Sequence, residues 1–348
     1  MNRRDFVGAA VGVATLLGAA LAFSQTPAPA DQGLSGATGG RGGRGGVVHT
    51  LSPGPDLGYA YDVNPLPLPA GMQFASQVAA VAMNSKGHIF VYQRAAAGKP
   101  QLLEFDQNQK FVRGFGEDIA VRAHGMRFDA QDNMWICDQN GNTVMKLNPQ
   151  GQVIMTIGEK GKMGAWDEAA GNRYLFQPID VAIAPNGDIY IAQGHGRESP
   201  AGDSRVLRVD KNGKYITQWS GNVDGPGKFS MVHSITLDQK GNVYLADRED
   251  KRIVVYDGNG KFIRTIQMAN LVCAFMVTKN NELWMSNGQD GQVEKIDWDG
   301  HVLGWAGTGP GNGIGQFGES NYMAMDAKGD IYVADTVYGR VQKLIKKK

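Results

Sequence analysis

From His233 to Gln267 the chain reads HSITLDQKGNVYLADREDKRIVVYDGNGKFIRTIQ, four short apolar or alternating runs divided by DQKGN, REDK and DGNG. Runs of this length between Asp/Asn/Gly clusters predict β-strands over residues 233–237, 243–247, 252–256 and 261–266. One such antiparallel sheet cannot cover its own faces, so the pattern is expected to recur. It does. Aligned on the turn before the second strand, Gly87, Asp132, Gly187, Gly241, Asn281 and Gly329 open GHIFVYQR, DNMWICDQ, GDIYIAQG, GNVYLADR, NELWMSNG and GDIYVADT. Spacings of 45, 55, 54, 40 and 48 residues suit a four-stranded blade and are never the roughly 25-residue period of a solenoid. The six units predict an all-β fold, a six-bladed β-propeller of four-stranded antiparallel blades.

The last unit supplies strands over 322–325, 331–335 and 340–345 and then ends in Lys346-Lys347-Lys348, one strand short. A ring left open there exposes a strand edge, so a segment between Val47 and Val63 is expected to close the last blade, giving a propeller over 47–348. Residues 31–46, DQGLSGATGGRGGRGG, read as a Gly-rich linker. Residues 1–30 read as an export signal: Arg3-Arg4, an uncharged run to Phe23, then Ala28-Pro29-Ala30. The paired arginines resemble a twin-arginine signal, with an ordinary signal or an uncleaved anchor as the alternatives. Each version puts the domain outside the cytoplasm, periplasmic or secreted.

Charge narrows the partners. Lys plus Arg number 35 against 34 Asp plus Glu, a net charge of +1, which argues against a general nucleic-acid or anionic-membrane binder. A small molecule or peptide is the expected partner, the chain a monomer, and any membrane contact confined to the N-terminal anchor. Cys137 and Cys273 fall in units far apart around the ring, so free packed thiols are expected.

The candidate chemistry lies in two registers. Eight residues before the aligned turns stand Ala79, His124, Ile179, His233, Cys273 and Asn321, each opening a strand that lines the central channel. Units two, four and six thus offer His124, His233 and Asn321 from alternate blades, a donor set suited to a catalytic divalent metal with open positions. Seven residues after the turns stand Arg94, Gln139, Gly194, Arg248, Gly288 and Thr336, on the same face, where Arg94 and Arg248 suit a substrate carboxylate. An insertion at 193–204 in unit three carries His195, a candidate general base on that face. Taken singly, such histidines usually pack or cap; the shared register and alternate-blade placement favour function. Asp138, Asp247 and Asp335 read as turn-capping residues of the repeat, and His49, His88 and His301 receive no role.

HSITLDQKGNVYLADREDKRI, FQPIDVAIAPNGDIYIAQG and AHGMRFDAQDNMWICD resemble NHL-type repeats and are similar to segments of peptidyl-α-hydroxyglycine α-amidating lyase, with the resemblance running over about residues 80–345. It implies that His124 and His233 match zinc-binding histidines and that Arg94 and Arg248 match active-site arginines. Where the family has a third histidine followed by aspartate, this chain has Asn321-Tyr322, which bears on both zinc and an associated calcium. His195 stands nearest to the family's catalytic tyrosine. The expected activity is a metal-dependent, lyase-like cleavage of a carbinolamide or peptide end, with zinc ahead of calcium. Two other readings stay open: a secreted, non-enzymatic propeller binding a protein, peptide or glycan, and a calcium-dependent lactonase, which a channel register without Asp or Glu disfavours.

Overall fold

The computed structural model describes residues 51–195 and 204–347. The segments read as an export signal and a Gly-rich linker, together with residues 47–50, 196–203 and 348, lie outside them. Among the described residues there is no helix, and six four-stranded antiparallel sheets form the blades of a six-bladed propeller. The innermost strands are Val78–Met83, Ala123–Phe128, Pro178–Ile183, Val232–Leu237, Ala274–Val277 and Ser320–Met325. Each packs on the next, and Ser320–Met325 returns to Val78–Met83 to complete the ring.

The repeat is set by turn chemistry. All six aligned turn residues, Gly87, Asp132, Gly187, Gly241, Asn281 and Gly329, have φ between 59° and 90°. This left-handed region is open to glycine and tolerated by Asp and Asn. In each turn the amide donates back three residues, as Gly241 N does to Asp238 O at 3.0 Å. The strand that follows is buried along its whole length, as in Val243–Asp247, which explains the unbroken apolar run VYLAD. The outermost strand Phe262–Gln267 alternates between half-buried and exposed positions, which explains FIRTIQ.

Apolar side chains meet between blades. One cluster joins Tyr92, Leu102, Met126 and Ile136 of the first two blades; another joins Trp284, Val293, Ile331 and Leu344 of the last two. A fully buried aliphatic or aromatic side chain contributes about 1.5–3 kcal/mol, so the interfaces dominate the stability of the ring. Asp138, Asp247 and Asp335 hold the blade entries: Asp247, for example, accepts from Ser230 N at 3.1 Å and Met231 N at 3.0 Å and pairs with Arg252 at 2.7 Å. Both cysteines are buried free thiols.

The last blade takes its outer strand from the N-terminal side. Ala60–Asp62 pairs antiparallel with Arg340–Ile345, Tyr61 opposite Leu344, while Tyr59 is buried edge-on against Trp284 with centroids 6.3 Å apart. An additional hairpin, Trp166–Asp167 with Asn172–Arg173, projects between the second and third blades and accounts for part of the 55-residue spacing there. Removing residues 51–63 is expected to lower the melting midpoint by at least about 5 °C, since a buried tyrosine and an edge pairing are lost; an unchanged melting curve contradicts this closure.

Candidate active site

Register shifts open the innermost strand in five of the six blades, and two of them carry the site. The ladder of Ala123–Phe128 with Met134–Asp138 shifts register between Ala123 and Met126, and that of Val232–Leu237 with Val243–Asp247 shifts between Val232 and Ser234. His124 and His233 lie in these bulges, which turn their side chains out of the regular alternation. Each imidazole then reaches the carbonyl that opens the following blade: His124 Nδ1 lies 3.0 Å from Ile179 O, and His233 Nδ1 lies 2.9 Å from Cys273 O. A carbonyl only accepts, so both rings carry their proton on Nδ1 and keep a lone pair on Nε2. Both residues are 1 % exposed.

His195, just past the strand Ile189–Gln193, completes a triangle of imidazoles. Its centroid lies 5.0 Å from that of His124 and 4.8 Å from that of His233, and those two lie 4.9 Å apart. The nitrogens that could bind a metal all lie within 4.8 Å of one another. His195 Nε2 is buried without a hydrogen-bond partner among the described residues, while its Nδ1 lies 3.3 Å from Gln139 Nε2.

Beneath the imidazoles Tyr322 crosses the channel from the last blade. Its hydroxyl lies 3.0 Å from Ile179 O and 3.3 Å from His233 O, and its ring meets His124 edge-on at 5.9 Å. Glycine is required at position 125: a Cβ there would lie 2.4 Å from Ile179 O and 3.0 Å from the Tyr322 hydroxyl. Arg127 stacks over Tyr322 at 4.9 Å and grips the buried Asp180 at 2.9 and 2.7 Å, with Ser234 Oγ 2.6 Å from the same carboxylate. This paired network joins side chains of the second, third, fourth and last blades.

Arg94, Arg122 and Arg248 stand around the triangle. Arg94 donates to Ala123 O at 3.0 Å and to Gln77 Oε1 at 2.8 Å; Arg248 pairs with Glu249 at 2.9 Å and Glu319 at 3.1 Å. Arg122 Nε donates to Gln139 Oε1 at 3.1 Å. Burial, reinforced by Arg94 and Arg122, holds His124 well below the usual imidazole range. Burial does the same for His195, with His124 and Arg248 adding to it, and for His233, with Arg248 adding to it. The rings are therefore neutral at pH 7, as metal binding requires.

Sequence reasoning and structure meet unevenly here. His124, His233 and His195 come together. Arg94 and Arg248 border them, but each is already engaged by groups of its own chain. Asn321 is buried, with Nδ2 3.0 Å from Thr336 Oγ1 and Oδ1 3.6 Å from Cys273 Sγ. Arg122, Glu319, Tyr322 and the Arg127–Asp180 pair were not singled out by the repeat alignment, although Tyr322 directly follows a register position.

The neutral rings give folding a pH dependence of known sign. An unfolded histidine gains its proton below about pH 6.5, whereas these folded rings resist it, so their stabilisation is present above that value and is lost as pH falls through it. Each fully resistant ring contributes a slope of about 1.4 kcal/mol per pH unit. Urea unfolding of the metal-free protein is expected to show stability falling from pH 7 to pH 5.5, less steeply in His233→Gln; equal slopes contradict the assignment.

Known proteins resemble this chain at the level of fold and repeat. A family model described as a 6-bladed beta-propeller matches residues 202–299. Peptidyl-glycine alpha-amidating monooxygenase B of Xenopus laevis is 27% identical over 238 residues, 64% of this chain and 26% of that protein. NHL repeat-containing protein 3 of Homo sapiens is 30% identical over 193 residues, 53% of each chain. A probable peptidyl-alpha-hydroxyglycine alpha-amidating lyase of Caenorhabditis elegans is 26% identical over 201 residues, 51% of this chain and 54% of that one. The match thus spans only about a quarter of the amidating monooxygenase and about half of the other two. Among solved structures, a streptogramin B lyase superposes with a TM-score of 0.56 at 13% identity, over 83% of this chain and 98% of that one. A gluconolactonase of Xanthomonas campestris superposes with a TM-score of 0.58 at 16% identity, over 79% and 87%. At these identities the two structures speak to fold alone. The chain is a six-bladed β-propeller whose curated relatives, at modest identity, bear the names of amidating lyases and NHL-repeat proteins.

Proposed function

We propose that the channel mouth is the active site of a metal-dependent lyase that cleaves the carbon–nitrogen bond of a carbinolamide, with a hydroxyglycine-extended peptide as the model substrate. The observation that carries this reading is the matched pair of Nδ1 contacts to backbone carbonyls, which leaves His124 and His233 with lone pairs on Nε2 beside a third imidazole. Nitrogen donors of this kind suit zinc better than calcium, and the carboxylates Glu249 and Glu319 offset part of the positive charge that opposes a bound cation. The names of the relatives in the amidating-lyase group point to the same chemistry.

When bound, a divalent metal would supply a Lewis acid that acidifies the substrate hydroxyl. His124 and His233 would hold it. The positive field of Arg94, Arg122 and Arg248 draws the substrate carboxylate to the mouth. In the net reaction the carbon–nitrogen bond breaks, the hydroxyl loses its proton to become the carbonyl of glyoxylate, and the departing amide nitrogen gains one. No oxidant or water is consumed. A lactonase reading, which rests on a carboxylate-bound calcium, finds imidazoles where it needs oxygen ligands.

Incubating the zinc-loaded full chain with a hydroxyglycine-extended peptide is expected to release glyoxylate, and His233→Ala to lower that release by at least about a hundredfold. Absence of glyoxylate from metal-replete protein contradicts the proposed substrate.

A further inference from the structure

Proximity alone would make His195 a third ligand equivalent to His124 and His233. The polarity of its hydrogen bonds separates it from them. Arg122 Nε donates to Gln139 Oε1 at 3.1 Å. A guanidinium has no acceptor, so the amide oxygen of Gln139 must face Arg122 and its NH2 must face His195, 3.3 Å from Nδ1. An amide NH2 only donates, so His195 Nδ1 is the accepting nitrogen. The single proton of the neutral ring is then on Nε2, the tautomer opposite to that of His124 and His233. That Nε2–H is buried with no acceptor among the described residues. A buried N–H left unsatisfied costs roughly 1–3 kcal/mol, a deficit that an acceptor atom of a bound molecule removes.

We propose that His195 is a neutral hydrogen-bond donor to the substrate, neither a third metal ligand nor a general base, and that Gln139, oriented by Arg122, is the positioning residue that fixes it in this role. The proposal rests on the lyase reading for its acceptor: the carbonyl oxygen of the departing amide, which gains negative charge as the carbon–nitrogen bond breaks. A neutral imidazole with its proton held on the inward nitrogen can stabilise such charge without transferring the proton. The site then divides its three imidazoles by tautomer, two presenting lone pairs and one presenting a proton.

Long-range proton–nitrogen correlation spectra of full-length protein with nitrogen-15 in its histidines read the tautomers directly, with and without zinc. Expected are Nδ1–H for His124 and His233 and Nε2–H for His195, the last unchanged by zinc. Gln139→Glu keeps a partner for Arg122 but replaces the NH2 donor by an acceptor, and is expected to move the His195 proton to Nδ1 while His124 and His233 stay as they are. A wild-type His195 protonated on Nδ1, a His195 Nε2 that loses its proton to zinc, or a folded Gln139→Glu protein with unchanged His195 signals would each overturn the proposal. The spectra need no turnover, so a missing glyoxylate product with these tautomers present would sink the substrate assignment and leave the division of the imidazoles standing.

Discussion

The structure depends on carbonyl groups that strand irregularities place at the channel mouth. A regular antiparallel ladder alternates its side chains between two faces. By shifting register where the innermost strand begins, the second and fourth blades aim His124 and His233 along the axis, and the opening carbonyl of the next blade locks each ring through Nδ1. Ile179 O receives both His124 and the Tyr322 hydroxyl, so one carbonyl in the third blade ties together groups from the second and last blades. Chemistry and ring closure share the same backbone atoms. A substitution that restores a regular ladder there would affect both.

Electrostatics follow from this packing. Three imidazoles in contact inside a rim of arginines cannot all be charged, and burial together with Arg94, Arg122 and Arg248 keeps them neutral. One layer below, Arg127 holds Asp180 in a bidentate pair, and a serine hydroxyl adds a further hydrogen bond to the carboxylate. Neutral imidazoles inside a rim of arginines thus lie next to a buried ion pair.

Much of the fold is legible in the sequence, because it rests on local signals. The turn residues of every repeat need left-handed φ, and Gly, Asp or Asn stands at each. The fully buried second strands read as unbroken apolar runs, and the last unit, with three strands of its own, takes Ala60–Asp62 as its fourth. His124 and His233 are legible for the same reason, as register positions of a repeat. Arg122 and Glu319 are not: they share a register ten residues before the aligned turns, but Gln77, Gln177, Met231 and Leu271 fill it in the other blades, so no residue pattern marks it. Gln139 stands in the register of Arg94 and Arg248, yet its task depends on which way its amide faces, and that is decided by a neighbour no spacing reveals. The engagement of Asn321 with Thr336 is equally a matter of packing.

The central claim is that paired bulges hold two imidazoles, from the second and fourth blades, with their Nε2 atoms free to bind one metal. X-ray absorption at the zinc edge of the loaded full chain tests it most directly. The account predicts one zinc per chain with two imidazole nitrogens in its first shell, and loss of that zinc when both His124 and His233 are replaced by alanine. A shell without imidazole, or zinc retained by the doubly substituted protein, would contradict it.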